Sequence, residues 1–138
     1  MSEVNSPEPK NDKPPQKPPK PEDKPFKQFI SEEFLPKLDS ALIEIGIAPI
    51  TLQFEKGERP VVGGECWMVI GELPAGRKFW LSFSNEQISS PKTISLAESG
   101  SEPSLLESFL IDERKTTLAL LISRLIQRLN GQKWLGAN

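Results

Sequence analysis

The residues that could do chemistry are few, and the first is a single cysteine. Cys66 stands in the apolar stretch CWMVIGEL (66–73), whereas a reactive thiolate needs a positive, partly open setting and usually a basic partner. The chain has no histidine, which is the commonest general base and metal ligand. We therefore interpret Cys66 as a buried structural residue and predict no catalytic, cofactor-binding or metal-binding residues.

A mixed cluster of charges, DERK (112–115), lies close after Glu107. Paired carboxylates can perform acid–base chemistry. Alternating charge on a helix more often marks a solvated face or offsets the helix dipole. We predict that Asp112 and Arg114 contribute to partner recognition rather than to catalysis.

The C-terminal stretch offers the best candidates for a partner interface. Arg124, Gln127, Arg128 and Lys133 recur near Trp134, and tryptophan and arginine are enriched in interface hot spots. Trp134 could instead fold back over the core, and both interpretations stay open. The predicted interface residues are Arg124, Arg128, Lys133, Trp134, Asp112 and Arg114.

Composition narrows the class of protein. The 138 residues carry a net charge of −2, which counts against nucleic-acid binding because nucleic-acid binders are normally basic. A lone cysteine cannot form an internal disulfide and suits a reducing compartment. The apolar runs are far shorter than the roughly 20 residues that cross a bilayer. The start of the chain shows no signal-peptide pattern. We expect a soluble protein.

A boundary in composition falls near residue 25. Residues 1–25 hold eight of the fourteen prolines and five lysines, a composition typical of disordered, extended chain. We predict a disordered tail over 1–24 and one domain over 25–138. The tail is a solvated spacer or tether, or its PxxP spacings dock an aromatic groove.

The domain is predicted to be α+β. Apolar residues from Phe26 to Ile45 recur at three- and four-residue steps, which indicates a helix that Gly46 ends and that Pro36 kinks or divides. Alternation at Ile50, Leu52 and Phe54 predicts a strand, followed by a loop over 57–64. Two apolar runs joined by Pro-Ala-Gly (74–76) predict a hairpin, and 93–96 predicts a weaker strand.

The C-terminal part is predicted to be helical. Ser104 and Glu107 have the spacing of a capping box, ahead of apolar residues from Leu105 to Leu110. A second apolar set runs from Leu118 to Leu129, so the pattern fits one helix bent near Asp112 or two helices. The predicted order is an N-terminal helix, three or four antiparallel strands, and a C-terminal helix, with the helices covering one face of the sheet.

Several stretches resemble the NdhV family, whose members are accessory subunits of the cyanobacterial and chloroplast photosynthetic NADH-dehydrogenase-like complex. They are KPF (24–26), ECW (65–67), ESFLIDERK (107–115) and QRLNGQKWLG (127–136). The resemblance implies a peripheral subunit on the cytoplasmic or stromal face of the thylakoid membrane. It implies as partners the iron–sulfur subunit NdhI, the small subunit NdhS and ferredoxin, in electron transfer from ferredoxin to plastoquinone. It implies no cofactor in this chain.

Two other classes of function stay open. A transient assembly or regulatory factor of a photosynthetic complex would have the same helices and tail. A single-strand nucleic-acid binder could use Trp67, Phe79 and Trp80 as stacking platforms.

Overall fold

The computed structural model describes residues 20–103, 105–110 and 115–132. The described part is an α+β domain with helical segments at both ends of the chain and an antiparallel sheet between them. The helical segments are α1 (Phe26–Phe29), a π-helix (Ile30–Phe34), α2 (Leu35–Glu44) and α3 (Leu118–Gly131). The strands are β1 (Thr51–Glu58), β2 (Glu65–Glu72), β3 (Lys78–Phe83), β4 (Lys92–Ala97) and β5 (Glu107–Phe109).

The five strands form one sheet in the order β1-β2-β3-β4-β5, so each strand pairs with its neighbour in sequence. The predicted hairpin is confirmed: β2 and β3 pair antiparallel across Pro74–Gly76. The predicted strand at 93–96 is also confirmed, as part of β4. The strand count was predicted too low, because β5 adds a short edge strand.

The prediction of a helix near residues 105–110 is wrong, because β5 occupies this stretch. Lys92 pairs with Phe109 and Ile94 pairs with Glu107, so Phe109 is buried while Ser108 points to the other side of the sheet. Pairing with β4 overrides the local helical spacing. Ser104 and Asp112, on which the capping box and the bend depended, lie outside the described residues.

The N-terminal helix confirms the predicted segment and shows how the chain accommodates Pro36. Helical backbone continues from α1 to α2, and the intervening turn is a π-helix, in which the Leu35 amide donates to the Ile30 carbonyl. Such wider turns occur where the regular hydrogen-bond ladder is interrupted. Gly46 follows the helix at φ 92°, the left-handed conformation expected there.

The core lies between the helices and one face of the sheet, which we call the first face. Its rows follow the pairing register, as in Phe54, Val69, Leu81 and Ile94 on adjacent strands. Buried residues of the helices join them in one cluster: Phe26, Phe29, Ile30, Phe34, Leu38, Leu42, Leu118, Leu121, Leu125 and Leu129. Residues of opposite parity, such as Met68, Ser82 and Thr93, form the second face.

Two boundaries differ from the predicted ones. Strand β1 continues through Gly57 and Glu58, so the loop begins at Arg59. Ahead of the predicted domain start at 25, the Glu22 carboxylate accepts a hydrogen bond from the Leu118 amide at 2.7 Å. Lys24 forms an ion pair with Glu33 at 2.6 Å. The chain therefore joins the folded domain a few residues before 25, and residues 1–19 lie outside the described part.

Candidate partner interface

Two backbone amides in the first turn of α3 donate hydrogen bonds to side-chain oxygens. The Thr117 hydroxyl accepts from the Leu120 amide at 3.1 Å, and the Glu22 carboxylate accepts from the Leu118 amide. A side-chain acceptor and a negative charge both stabilise this end of a helix. Leu118, Leu121, Leu125 and Leu129 face the core, as their spacing predicts. The polar residues of the helix therefore occupy its outer side.

The two predicted interface arginines on α3 have different surroundings. Arg128 lies against β5, where its Nε and Nη2 each donate to the Glu107 carboxylate at 2.7 Å. This two-point pairing lowers the pKa of the Glu107 carboxyl below its usual range. The sequence analysis considered Glu107 only as a cap or an acid, since its partner lies 21 residues away. Arg128 therefore ties α3 to the sheet edge.

Arg124, by contrast, is exposed on α3. Beside it on the same helix, Ser123, Ile126, Gln127 and Asn130 line a hollow of about 360 Å³ with Ile45 from the end of α2. We call this the helix-end hollow. Its two apolar lining residues, Ile45 and Ile126, come from the end of α2 and from α3.

Apolar side chains are exposed around the end of α2. Ile43, Ile45 and Ile50 are 54%, 48% and 58% exposed. The sequence pattern placed Ile45 and Ile50 among inward-facing residues, and that placement is wrong. Ile45 lies at the C-terminal cap, where the helical period no longer applies, and Ile50 precedes β1.

The remaining predicted interface residues, Lys133, Trp134, Asp112 and Arg114, lie outside the described residues. Cys66 is buried on the second face, as predicted. Within the described ranges no group of three or more histidine, cysteine, aspartate or glutamate side chains could hold a metal ion.

The three hairpin aromatics do not form one stacking platform. Phe79 is completely buried in the core. Trp67 stacks on Phe54 with ring centroids 4.9 Å apart, and Lys27 lies over its ring at 4.8 Å. Trp80 belongs to the second face. The arrangement thus gives no support to the nucleic-acid alternative.

A second polar site was missed by the sequence analysis. Lys92 is buried, and its Nζ donates to the carbonyls of Ile88 and Ser90 at 2.6 and 2.8 Å. Burial lowers the pKa of its ammonium group. Lys92 and Arg59 line the same cavity at one end of the sheet. No sequence signal connected these two residues, because the fold brings them together from the loop after β1 and from the start of β4.

Comparison with known families gives one match. A family model described as "Protein of unknown function (DUF2996)" matches residues 20–136. The chain belongs to this family. The search of curated proteins finds no match.

The range shared with the DUF2996 family covers all the residues that the structure describes, including the helix-end hollow and the cavity of Lys92 and Arg59. It begins at residue 20, close to the first contacts of Glu22 with the domain. The family description states no function, so the resemblance to NdhV stays a prediction. Among the described helices of this family member, none has the length and apolarity needed to cross a membrane.

Proposed function

We propose that this DUF2996 protein is a non-catalytic peripheral subunit of the photosynthetic NADH-dehydrogenase-like complex. In this role it binds the hydrophilic arm near NdhI and NdhS and stabilises the region where ferredoxin docks, on the cytoplasmic face of the thylakoid membrane. Ferredoxin then delivers electrons that pass to plastoquinone. The sequence stretches that resemble NdhV support the choice of complex, and the helix-end hollow supports the choice of surface.

The observation that carries a binding role is the exposed Ile45 in the helix-end hollow, whose helix α3 also exposes Arg124. Ile45 is 48% exposed although its side chain is wholly apolar, and Ile126 lines the same hollow. Two isoleucines among the polar residues Ser123, Gln127 and Asn130 fit the usual anatomy of an interface, in which apolar anchors are surrounded by polar residues.

The charge of Arg124 favours an acidic partner. Ferredoxins are strongly acidic, and opposite charges near an interface raise the rate of association more than they raise affinity. Arg124 is exposed, whereas Arg128 is partly buried against β5, where it binds Glu107 at 2.7 Å. The proposal therefore assigns docking to Arg124 and to the isoleucines, and assigns Arg128 to holding α3 in place.

The test is recovery of named subunits from gently solubilised thylakoids with tagged full-length protein. The interface variant is Ile45→Gln/Arg124→Glu. The matched control is Val62→Gln/Lys78→Glu, which makes the same kinds of change at two exposed positions away from the hollow. We expect near-stoichiometric NdhS and NdhI with the natural chain and with the control. For the interface variant we expect about a tenfold loss, which corresponds to roughly 1.4 kcal/mol.

Each result bears on a different part of the proposal. Absence of NdhS and NdhI from the natural chain's eluate contradicts the assignment to this complex. Equal recovery with the interface variant contradicts the assignment to this surface. Migration with precursor assemblies only, and never with the mature complex, identifies a transient assembly factor instead.

A further inference from the structure

A cavity of about 290 Å³ lies at the end of the sheet where β3 and β5 finish and β4 begins. It is separate from the helix-end hollow and shares no lining residue with it. Its lining is mainly polar and contains two basic residues and many hydroxyl groups. The lining residues are Arg59, Ser84, Ser89, Ser90, Pro91, Lys92, Thr93, Ser108, Phe109, Leu110 and Thr116.

Arg59 and Lys92 both line the cavity, and Lys92 belongs to the first face of the sheet as the register partner of Phe109. Lys92 uses two N–H groups for the Ile88 and Ser90 carbonyls, and an ammonium group has three. The Arg59 Nη2 donates to the Ser84 hydroxyl at 3.3 Å. The Arg59 Nε is buried and, within the described ranges, has no hydrogen-bond partner. A buried donor left unpaired costs about 1–3 kcal/mol, so this arrangement favours an acceptor in the cavity.

The hydroxyl groups add further unpaired hydrogen-bonding capacity. The Thr93 Oγ1 is buried, and no described residue forms a hydrogen bond with it. Thr93 and Ser108 are register partners on the second face, so their side chains point to the same side. Arg59, Thr93 and Ser108 all line the cavity. Donors from three separate segments therefore surround one space.

The charged residues among the described lining of the cavity are all basic. Among the described lining residues none is acidic, whereas two are basic. Arg128 differs from these two residues, because its Nε and Nη2 both donate to the Glu107 carboxylate. Guanidinium, ammonium and hydroxyl donors together suit an oxyanion, and arginine in particular matches the geometry of phosphate oxygens.

We propose that this cavity binds the phosphoryl group of a small molecule, held by Arg59, Lys92 and the hydroxyl of Thr93. The cavity volume limits the size of the ligand, since pockets for drug-sized ligands begin at about 300 Å³. A ligand of a few heavy atoms beyond the phosphoryl group fills the space. Among the described residues that line the cavity, none supplies a counter-charge to Arg59 and Lys92.

The experiment measures binding of inorganic phosphate to the full chain by calorimetry and by chemical shifts of the Lys92, Thr93 and Ser108 amides. Sodium chloride at matched ionic strength is the reference, because phosphate also stabilises proteins non-specifically. Arg59→Gln removes the unpaired donor and the charge. Arg77→Gln is the matched control, because Arg77 is paired with Glu98 and does not line the cavity.

We expect saturable binding that Arg59→Gln weakens about tenfold and Arg77→Gln leaves unchanged. Thr93→Val, which keeps the side-chain shape, should weaken binding about threefold, since it removes a neutral hydrogen bond. If Arg59→Gln fails to fold, the phosphate affinity of Thr93→Val alone tests the proposal.

Several results overturn the proposal. One is the absence of saturable binding below about 10 mM phosphate. Another is an affinity that Arg59→Gln and Thr93→Val both leave unchanged. Equal affinity for succinate overturns the assignment to a phosphoryl group in favour of a carboxylate. None of these results affects the proposed role in the photosynthetic complex, because that role depends on a different surface.

Discussion

The two faces of the sheet differ in how their buried side chains pack and bond. On the first face, apolar residues such as Val69, Leu81 and Ile94 pack with the helices in one cluster. On the second face, the hydroxyl oxygens of Ser82, Thr93 and Ser95 are buried and, in the described part of the chain, make no hydrogen bond. Burial on the first face is therefore a source of stability, whereas burial on the second face leaves bonding capacity unused.

The largest expected effect tests how tightly the first face is packed. A methyl group added at Gly71 would overlap the Phe79 ring, whereas one at Gly131 has open space. Overpacking a core costs about 1–3 kcal/mol, so we expect Gly71→Ala to lower the free energy of unfolding by about 3 kcal/mol. Gly131→Ala is the matched control and should cost nothing, since alanine favours the helix. Urea unfolding followed by tryptophan fluorescence measures both. A loss below about 1 kcal/mol for Gly71→Ala would show that Phe79 moves aside.

An intermediate effect is expected at the edge of the first face, where Glu107 holds Arg128. Glu107→Gln should lower the free energy of unfolding by about 0.5–1 kcal/mol, since the pair is partly exposed. The folded-state pKa of Glu107 is lowered, so its contribution is present above the ordinary glutamate pKa of about 4.3 and is lost as the pH falls through the folded value.

The pH dependence of the stability difference shows whether the Glu107 charge is responsible for it. The stability difference between the natural chain and Glu107→Gln should be present at neutral pH and shrink in the acid range below about 4.3. Unfolding curves at several pH values measure it. A difference that is the same throughout that range would mean that Glu107 acts through packing rather than through its charge.

The smallest effect is expected on the second face. Ser82 is completely buried, and its hydroxyl bonds to none of the described residues. Ser82→Ala breaks no hydrogen bond among these residues, so it should lower the free energy of unfolding by less than about 0.5 kcal/mol. Ser90→Ala is the matched control, because the Ser90 hydroxyl donates to the Gln87 carbonyl at 2.7 Å. Its loss should cost about 1 kcal/mol. Equal losses at the two positions would mean that Ser82 does have a partner in solution.

The sequence predicted those elements whose pattern is local. The hairpin around Pro74–Gly76 and the helix from Leu118 follow from alternation, turn residues and helical spacing. Strand β5 was missed because Glu107 has the spacing of a helix cap, and only pairing with β4 makes this stretch extended. Of the predicted interface, Arg124 lies on an exposed surface. The environment of Arg128 could not be predicted, because it depends on a residue in another strand.

The sequence by itself determined the class of fold, the order of its main elements and the absence of histidine chemistry, since periodicity and composition act over a few residues. The tertiary structure alone decided which distant polar groups meet. Glu107 reaches Arg128 across 21 positions and Arg59 reaches Ser84 across 25. Such pairs depend on strand order and register, which arise from burial of the whole first face rather than from any single stretch.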